Sequence, residues 1–149
     1  MDITPLQSEC FARIHAWLSA EYFHIITPDN HKPLLVLTQG SAAVAVEVRS
    51  WQNSVLVSIW TYVVTGAQVE PSLLRFLLRQ NELLRFGGFS LDDDRDIKLQ
   101  AHIYGENFSR AELLVIVKEV LESADHYDDQ IMLTWGGKRA IDHVATFAQ

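Results

Sequence analysis

The sequence predicts an α+β fold in which helices pack on an antiparallel sheet. Near its start, from Leu6 to Leu18, apolar residues recur at three- and four-residue steps, which is the spacing of one helical face. Three β-rich stretches follow at the spacing of successive hairpins. A capping box, S-R-A-E, marks the start of another helix at residues 109–112. The predicted order of elements is α-β-β-β-α-β-β-α.

Composition and charge argue against several classes of protein, among them nucleic-acid-binding, membrane and disulfide-bonded proteins. The 149 residues are 48% hydrophobic and 21% charged, so one domain over residues 1–149 can bury its own core, with residues 139–149 as a candidate C-terminal tail. A net charge of −7 repels nucleic acid and anionic membranes. The chain has no spanning apolar run and no signal-peptide start, and we expect it in the cytoplasm. Cys10 is the single cysteine, which excludes an internal disulfide.

Turn residues and alternation place the elements of the first half. A helix is predicted over residues 5–20, a short strand over 22–27, and a proline-bounded turn over 28–33. Strands are predicted over residues 34–38, 43–49 and 54–64. Valines alternate with Ala, Glu and Arg in the second, so that one face is buried. The third is apolar on both faces, and such a strand needs a cover on both or a partner.

The second helix, predicted over residues 71–86, carries more apolar surface than contact with one sheet requires. Pro71 suits the first turn of a helix, and two glycines follow its end. Leucine and phenylalanine leave only a narrow polar stripe. We therefore expect this helix to pack against a second surface in addition to the sheet. We predict that a homodimer interface includes Leu74, Leu77, Leu78 and Phe86.

A second hairpin and a long helix complete the predicted fold. Residues 97–104 alternate apolar and polar side chains, as a strand does. Phe108 and Leu113 have the spacing of a hydrophobic staple around the capping box, and the helix continues to Gly136. The tail that follows either docks back or meets a partner. Its apolar residues are Ala140, Ile141, Val144 and Phe147.

Two segments resemble those of the type III secretion chaperone fold and its YbjN-like relatives. Residues 77–92, with LLRQN followed by LLRFGGFSLD, are similar to that family's leucine-rich helix with an asparagine before a Phe-Gly segment that enters a strand. Residues 124–129 (ADHYDD), followed by WGGK at 135–138, resemble the ending of its last helix. The order of elements is also similar. The resemblance implies a small acidic homodimer that holds a partner polypeptide, without nucleotide and without chemistry.

The aspartate run at residues 92–96 is predicted to be a turn. Asp92, Asp94 and Asp96 have the spacing of the first ligands of a calcium loop. That loop requires Gly at its sixth position and Glu at its twelfth, where this chain has Ile97 and Ile103. Both isoleucines fit a strand.

Other candidate chemical motifs are incomplete as well. Residues 136–138 (GGK) lack the preceding Gly and the following Ser or Thr of a phosphate loop. Cys10 lies on the apolar face of a predicted helix, where a buried hydrophobe is expected rather than a nucleophile. The histidines contain no short-spaced ligand pair. We predict no catalytic residue, cofactor or metal site. The histidines are His15, His24, His31, His102, His126 and His143.

Aromatic residues on two long strands form the candidate partner-binding site. If the strands pair as predicted, alternation places these side chains on one sheet face. A mixed aromatic and polar face suits protein recognition. The same pattern also fits ordinary core under a helix or a dimer contact, and the sequence leaves both open. The residues are Trp60, Tyr62, His102 and Tyr104, with Trp51 extending the row.

The leading hypothesis is a non-enzymatic, chaperone-like or regulatory homodimer that engages a partner polypeptide. The alternative is a small enzyme or ligand-binding protein with an interior pocket, in which scattered His and Asp residues meet in space. A closed pocket lined by convergent polar groups would favour the alternative.

Overall fold

A computed structural model describes residues 2–28, 31–40 and 42–139. Three helices and seven strands are present, in the order α1 (Pro5–Glu21), β1 (His24–Ile26), β2 (Leu34–Gln39), β3 (Ala42–Trp51), β4 (Ser54–Thr65), α2 (Pro71–Leu83), β5 (Gly88–Leu91), β6 (Ile97–Tyr104), α3 (Arg110–Trp135) and β7 (Lys138–Arg139). The predicted order is confirmed, the short strand predicted over residues 22–27 forms as β1, and β7 is an additional short strand. The predicted tail beyond Arg139 lies outside the described residues.

The sheet is antiparallel, with strand order β1-β2-β3-β4-β6-β5. β4 lies near its centre, where it pairs with β3 on one side and β6 on the other, and β7 pairs with its last residues. The register of β4 with β6 shifts between Tyr62 and Val64. Val63 and Val64 are both buried there, so the strand changes the face that it turns to the core.

All three helices pack on one face of this sheet. The valines at 44, 46 and 48 of β3 point to that face and are at most 1% exposed, as their alternation predicts. Leu18 of α1, Leu73 of α2 and Leu113 of α3 are fully buried in the same cluster. One helix layer and one sheet therefore enclose the main core.

Side chains fix the starts of the two longer helices. The Thr4 hydroxyl accepts a hydrogen bond from the Gln7 N–H, and the Gln7 side-chain oxygen accepts one from the Thr4 N–H. The Gln7 side-chain amide also donates to the Val48 carbonyl of β3. The Ser109 hydroxyl accepts from the Glu112 N–H at 3.0 Å. The predicted start of the last helix is therefore correct.

Helix α2 ends three residues before the predicted Phe86. The Asn81 side chain accepts a hydrogen bond from the Phe89 N–H at 2.6 Å and donates to the Phe89 carbonyl at 3.3 Å, which ties the helix to β5. Gly87 has a φ of 77°, and a Cβ there would lie 2.1 Å from the Gln100 carbonyl oxygen. These contacts turn the chain at Leu84 although apolar residues continue the helical pattern.

The end of α3 is fastened to the start of α2. Trp135 is 8% exposed, and its indole N–H donates to the Ser72 hydroxyl at 2.9 Å. A Cβ on Gly137 would meet the Val64 side chain at 2.6 Å, so only glycine allows β7 to approach β4. Arg139 then forms ion pairs with Asp128 and Asp129 of α3.

Gly87→Ala should destabilise the protein more than Gly66→Ala does. Both glycines have positive φ, 77° and 73°, so each alanine costs about 1–2 kcal/mol of backbone strain. A Cβ at Gly66 meets nothing within 4 Å, whereas Gly87→Ala also clashes with β6, adding about 1–3 kcal/mol. Urea unfolding of the two variants measures the difference, and equal losses would contradict the close approach of Gly87 to Gln100.

Candidate functional site

The sheet face opposite the helices is the candidate site, and we call it the helix-free face. In the described part of the chain no helix packs on it. The pairing of β3, β4 and β6 fixes which residues lie there. Its central residues are Arg49, Trp51, Leu56, Ser58, Trp60, Tyr62, Lys98, Gln100, His102 and Tyr104.

One end of the helix-free face is an exposed aromatic pair. Trp51 at the end of β3 is 46% exposed, and Tyr104 at the end of β6 is 63% exposed. Their rings meet edge to face, with centroids 5.5 Å apart. The structure therefore brings together two of the predicted aromatic residues and leaves them open to solvent.

Trp60 occupies the centre of the helix-free face and is half-buried. It packs against a small apolar cluster that is separate from the main core and consists of Leu34, Val36, Ala43 and Ala45. Two cations approach its ring: the Lys98 Nζ lies 5.5 Å from the centroid and the Arg49 guanidinium carbon 5.9 Å. Trp60 thus presents an aromatic surface bordered by positive charge.

His102 pairs with Ser58 across β4 and β6. The His102 Nδ1 and the Ser58 hydroxyl oxygen are 3.1 Å apart. Burial lowers the pKa of His102, and the positive charges of Arg49 and Lys98 lower it further. At neutral pH the imidazole is therefore uncharged and offers hydrogen-bonding groups between the aromatic rings.

Tyr62, at the other end of the row, is held by the aspartate turn. Its hydroxyl donates to the Asp92 carboxylate at 2.8 Å. Burial, together with this hydrogen bond and the charge of Asp92, raises the pKa of Tyr62 to about 12. The other Asp92 oxygen accepts from the N–H groups of Asp94 and Asp96, each at 2.9 Å. The predicted turn is confirmed.

Burial and hydrogen bonding act in opposite directions on Asp92. Burial raises the pKa of this carboxyl group, but hydrogen bonds from the Asp96 backbone, the Tyr62 hydroxyl and the Asp94 backbone together outweigh it. The net pKa of Asp92 is lowered, so the carboxylate stays ionised and keeps Tyr62 oriented.

The predicted dimer residues divide between the core and the surface of α2. Leu77 is 5% exposed and packs in the chain's own core, and Phe86 is half-buried against that core. Leu74 and Leu78 are 40% and 69% exposed. Leu83, which was not singled out, is 72% exposed.

A groove of about 560 Å³ runs beside α2, between its outer face and the end of α3. Its lining residues are Ser72, Arg75, Phe76, Arg79, Gln80, Glu82, Leu83 and Trp135. Apolar and charged side chains therefore lie next to one another on this helix.

Sequence reasoning missed Arg49, Lys98 and Ser58 as members of the helix-free face. A signal was present, because each lies an even number of residues from a predicted aromatic residue on the same strand. Aromatic residues on a strand indicate a contact surface by themselves, whereas the lysine, arginine and serine between them form no recognisable motif.

Within the described ranges, no three His, Cys, Asp or Glu residues are placed to hold a metal ion. Cys10 is 2% exposed, as predicted, and burial raises the pKa of its thiol. None of the described helices is both long and apolar enough to cross a membrane.

Lys98→Gln should raise the pKa of His102 without restoring its ordinary value of 6.5, because burial is the larger cause of the shift. Lys118→Gln, which removes a more exposed lysine charge from α3, is the control and should leave that pKa unchanged. NMR titration of the His102 ring resonances measures both. Since the folded state disfavours the protonated ring, His102 should also make the protein less stable as the pH falls through 6.5. An unchanged pKa in Lys98→Gln would contradict the geometry of the face.

Three solved structures with the same fold come from complexes. A chain in the crystal structure of the ExsC–ExsE complex matches with a TM-score of 0.58 and 14% identity, over 88% of this chain and 97% of that chain. The HopA1–SchA chaperone–effector complex matches with a TM-score of 0.56 and 15% identity, over 82% and 96% of the two chains. The heterodimeric complex ExoU–SpcU from the type III secretion system of Pseudomonas aeruginosa has the same TM-score and identity, over 79% and 97%.

A family model identifies the chain more directly. A search of curated proteins gives no significant match. The model described as "T3SS (YopN, CesT) and YbjN peptide-binding chaperone 1" matches residues 14–143, which is most of the chain. The resemblance predicted from residues 77–92 and 124–138 is thereby confirmed, and the protein belongs to this family of peptide-binding chaperones.

Proposed function

We propose that this protein is a non-enzymatic chaperone that binds an extended segment of a partner polypeptide on its helix-free face. One observation carries the proposal: the aromatic row from Trp51 to Tyr62 lies on a sheet face on which no described helix packs. The family is one of peptide-binding chaperones. One of the solved structures with the same fold is a chaperone–effector complex, which supports a polypeptide as partner.

The chemistry of the helix-free face suits such a ligand. Trp51, Trp60 and Tyr104 offer large rings with few rotatable bonds, so binding costs little side-chain entropy. The Ser58–His102 pair adds donors and acceptors without fixed charge. The rings of such a face can bind an apolar segment, and its polar groups keep the surface hydrated when no segment is bound.

We also propose that the protein forms a homodimer through α2. Leu74 and Leu78 are one turn apart, which places them on one exposed stripe. Leu77 belongs to the chain's own core, so it supports the helix from beneath. Packing this stripe against its copy would remove these two exposed leucines of each chain from water.

A role in the cytoplasm is part of the same proposal. The single cysteine, Cys10, is buried and forms no disulfide, which is typical of proteins in a reducing compartment and supports this location. The groove beside α2 lies on the surface of the fold, so it does not support the alternative of an enzyme or ligand-binding protein with an interior pocket.

Tyr104→Ala should weaken partner binding by roughly 1–3 kcal/mol while leaving stability nearly unchanged, because this ring is an exposed anchor. Trp60→Ala should weaken binding by a similar amount, but it should also lower stability because Trp60 packs on the cluster around Val36. A partner captured from the native lysate, then purified, serves as the ligand for calorimetric titration, with thermal melts on the same variants.

Leu133→Ala is the matched control for these two variants. Leu133 is an apolar side chain that is 90% exposed on α3, in the helix layer. If this change weakened binding as much as Tyr104→Ala, the helix-free face would not be the binding surface.

Leu78→Glu should dissociate the homodimer, because two carboxylates would be buried in an apolar contact. Leu133→Glu makes the same change outside the proposed interface and should leave the dimer intact. Analytical ultracentrifugation at about 50 μM, where a dimer of micromolar Kd persists, measures both. A monomeric wild type under these conditions would refute the dimer.

A further inference from the structure

Two cations, Lys98 and Arg49, lie near the centre of the helix-free face, in a chain whose net charge is −7. Lys98 lies 5.5 Å from the ring centroid of Trp60 and 5.6 Å from that of Tyr62. Arg49 approaches Trp60 from β3, at 5.9 Å. The two cations therefore approach Trp60 from β3 and β6, the strands on either side of β4. Contact with the rings removes part of their hydration, which strengthens their attraction for an anion.

The carboxylates near these cations are already engaged. Glu47, which lies opposite Ser58 on the same face, accepts a hydrogen bond from the Arg49 Nε at 2.9 Å. Asp92 accepts from the Tyr62 hydroxyl and two backbone N–H groups. Within the described ranges, no carboxylate oxygen lies within 4 Å of the Lys98 Nζ. Lys98 thus has no direct ion pair among these residues, and its charge acts on Asp92 only from a greater distance.

We propose that the segment bound by this face is acidic as well as apolar, with an Asp or Glu side chain seated between Lys98 and Arg49 above Trp60. Apolar side chains of the segment then contact Trp51 and Tyr104 at the open end. This inference rests on the proposed function and adds the chemistry of its ligand. A carboxylate gains a charge-assisted hydrogen bond from Lys98, whereas a basic side chain at the same position meets two like charges.

The experiment uses an array of apolar peptides, each made in three versions with Glu, Gln or Lys at one central position. Fluorescence anisotropy then gives the Kd of the peptides that bind. We expect the Glu version to bind about fivefold more tightly than the Gln version, as one partly desolvated ion pair allows, and the Lys version to bind most weakly. The preference should shrink between about 50 mM and 500 mM salt.

Variants of the two cations assign the preference to this site. Lys98→Gln should reduce the preference for Glu to below about twofold, and Lys98→Glu should reverse it in favour of the Lys version. Lys118→Gln, on the exposed surface of α3, should leave it unchanged. Arg49→Gln should give a partial loss, because Glu47 already shares that guanidinium.

Each remaining outcome counts against a defined part of the inference. Equal affinity for the three versions would overturn the acidic ligand and leave the peptide-binding surface intact. Binding of no peptide in the array would overturn the proposed function as well. Tighter binding of a fluorescent oligothymidine than of any peptide would show that the cations and rings serve a nucleic acid instead. Loss of the preference in Lys118→Gln would show that it reflects overall charge.

Discussion

Backbone pairing of β4 on both of its sides is the interaction on which the rest of the structure depends. This twelve-residue strand pairs with β3, β6 and β7, and its register decides which residues lie under the helices. Val57 and Ile59 are then fully buried, while Trp60 faces the other way. A slip of one residue would exchange the two faces. The core and the proposed binding surface are therefore set by the same hydrogen bonds.

Much of this arrangement could be predicted from the sequence. The start of α3 at Ser109 and the alternation in β3 depend on neighbouring residues, and both predictions hold. The aromatic row was also placed on one face correctly. Whether a helix covers that face is decided by tertiary packing, and alternation carries no information about it. The end of α2 was misplaced because Asn81 and Gly87 act through contacts with β5 and β6, which helical periodicity does not reveal. β7 is too short for any pattern.

The segments that marked the family and the face that we propose for binding are made of different residues. Asn81, Gly87, Trp135 and Gly137 join helices to strands and allow close backbone approach. None of them lies on the helix-free face. Structures with 14–15% identity to this chain share its fold. In this chain, the residues that join helices to strands lie in the segments that carry the sequence resemblance, apart from the face that we propose for binding.

The register shift in β4 sets a length as well as a shape. Up to Tyr62 the even-numbered residues of this strand face the partner side, and beyond it Val63 and Val64 are both buried. The outward row therefore runs from Ser54 to Tyr62, about 27 Å of extended chain. If a partner segment lies along β4 as we propose, this row limits the contact to about eight of its residues, however long the partner is. The register shift of β4 would thus set the length of the segment that the protein recognises.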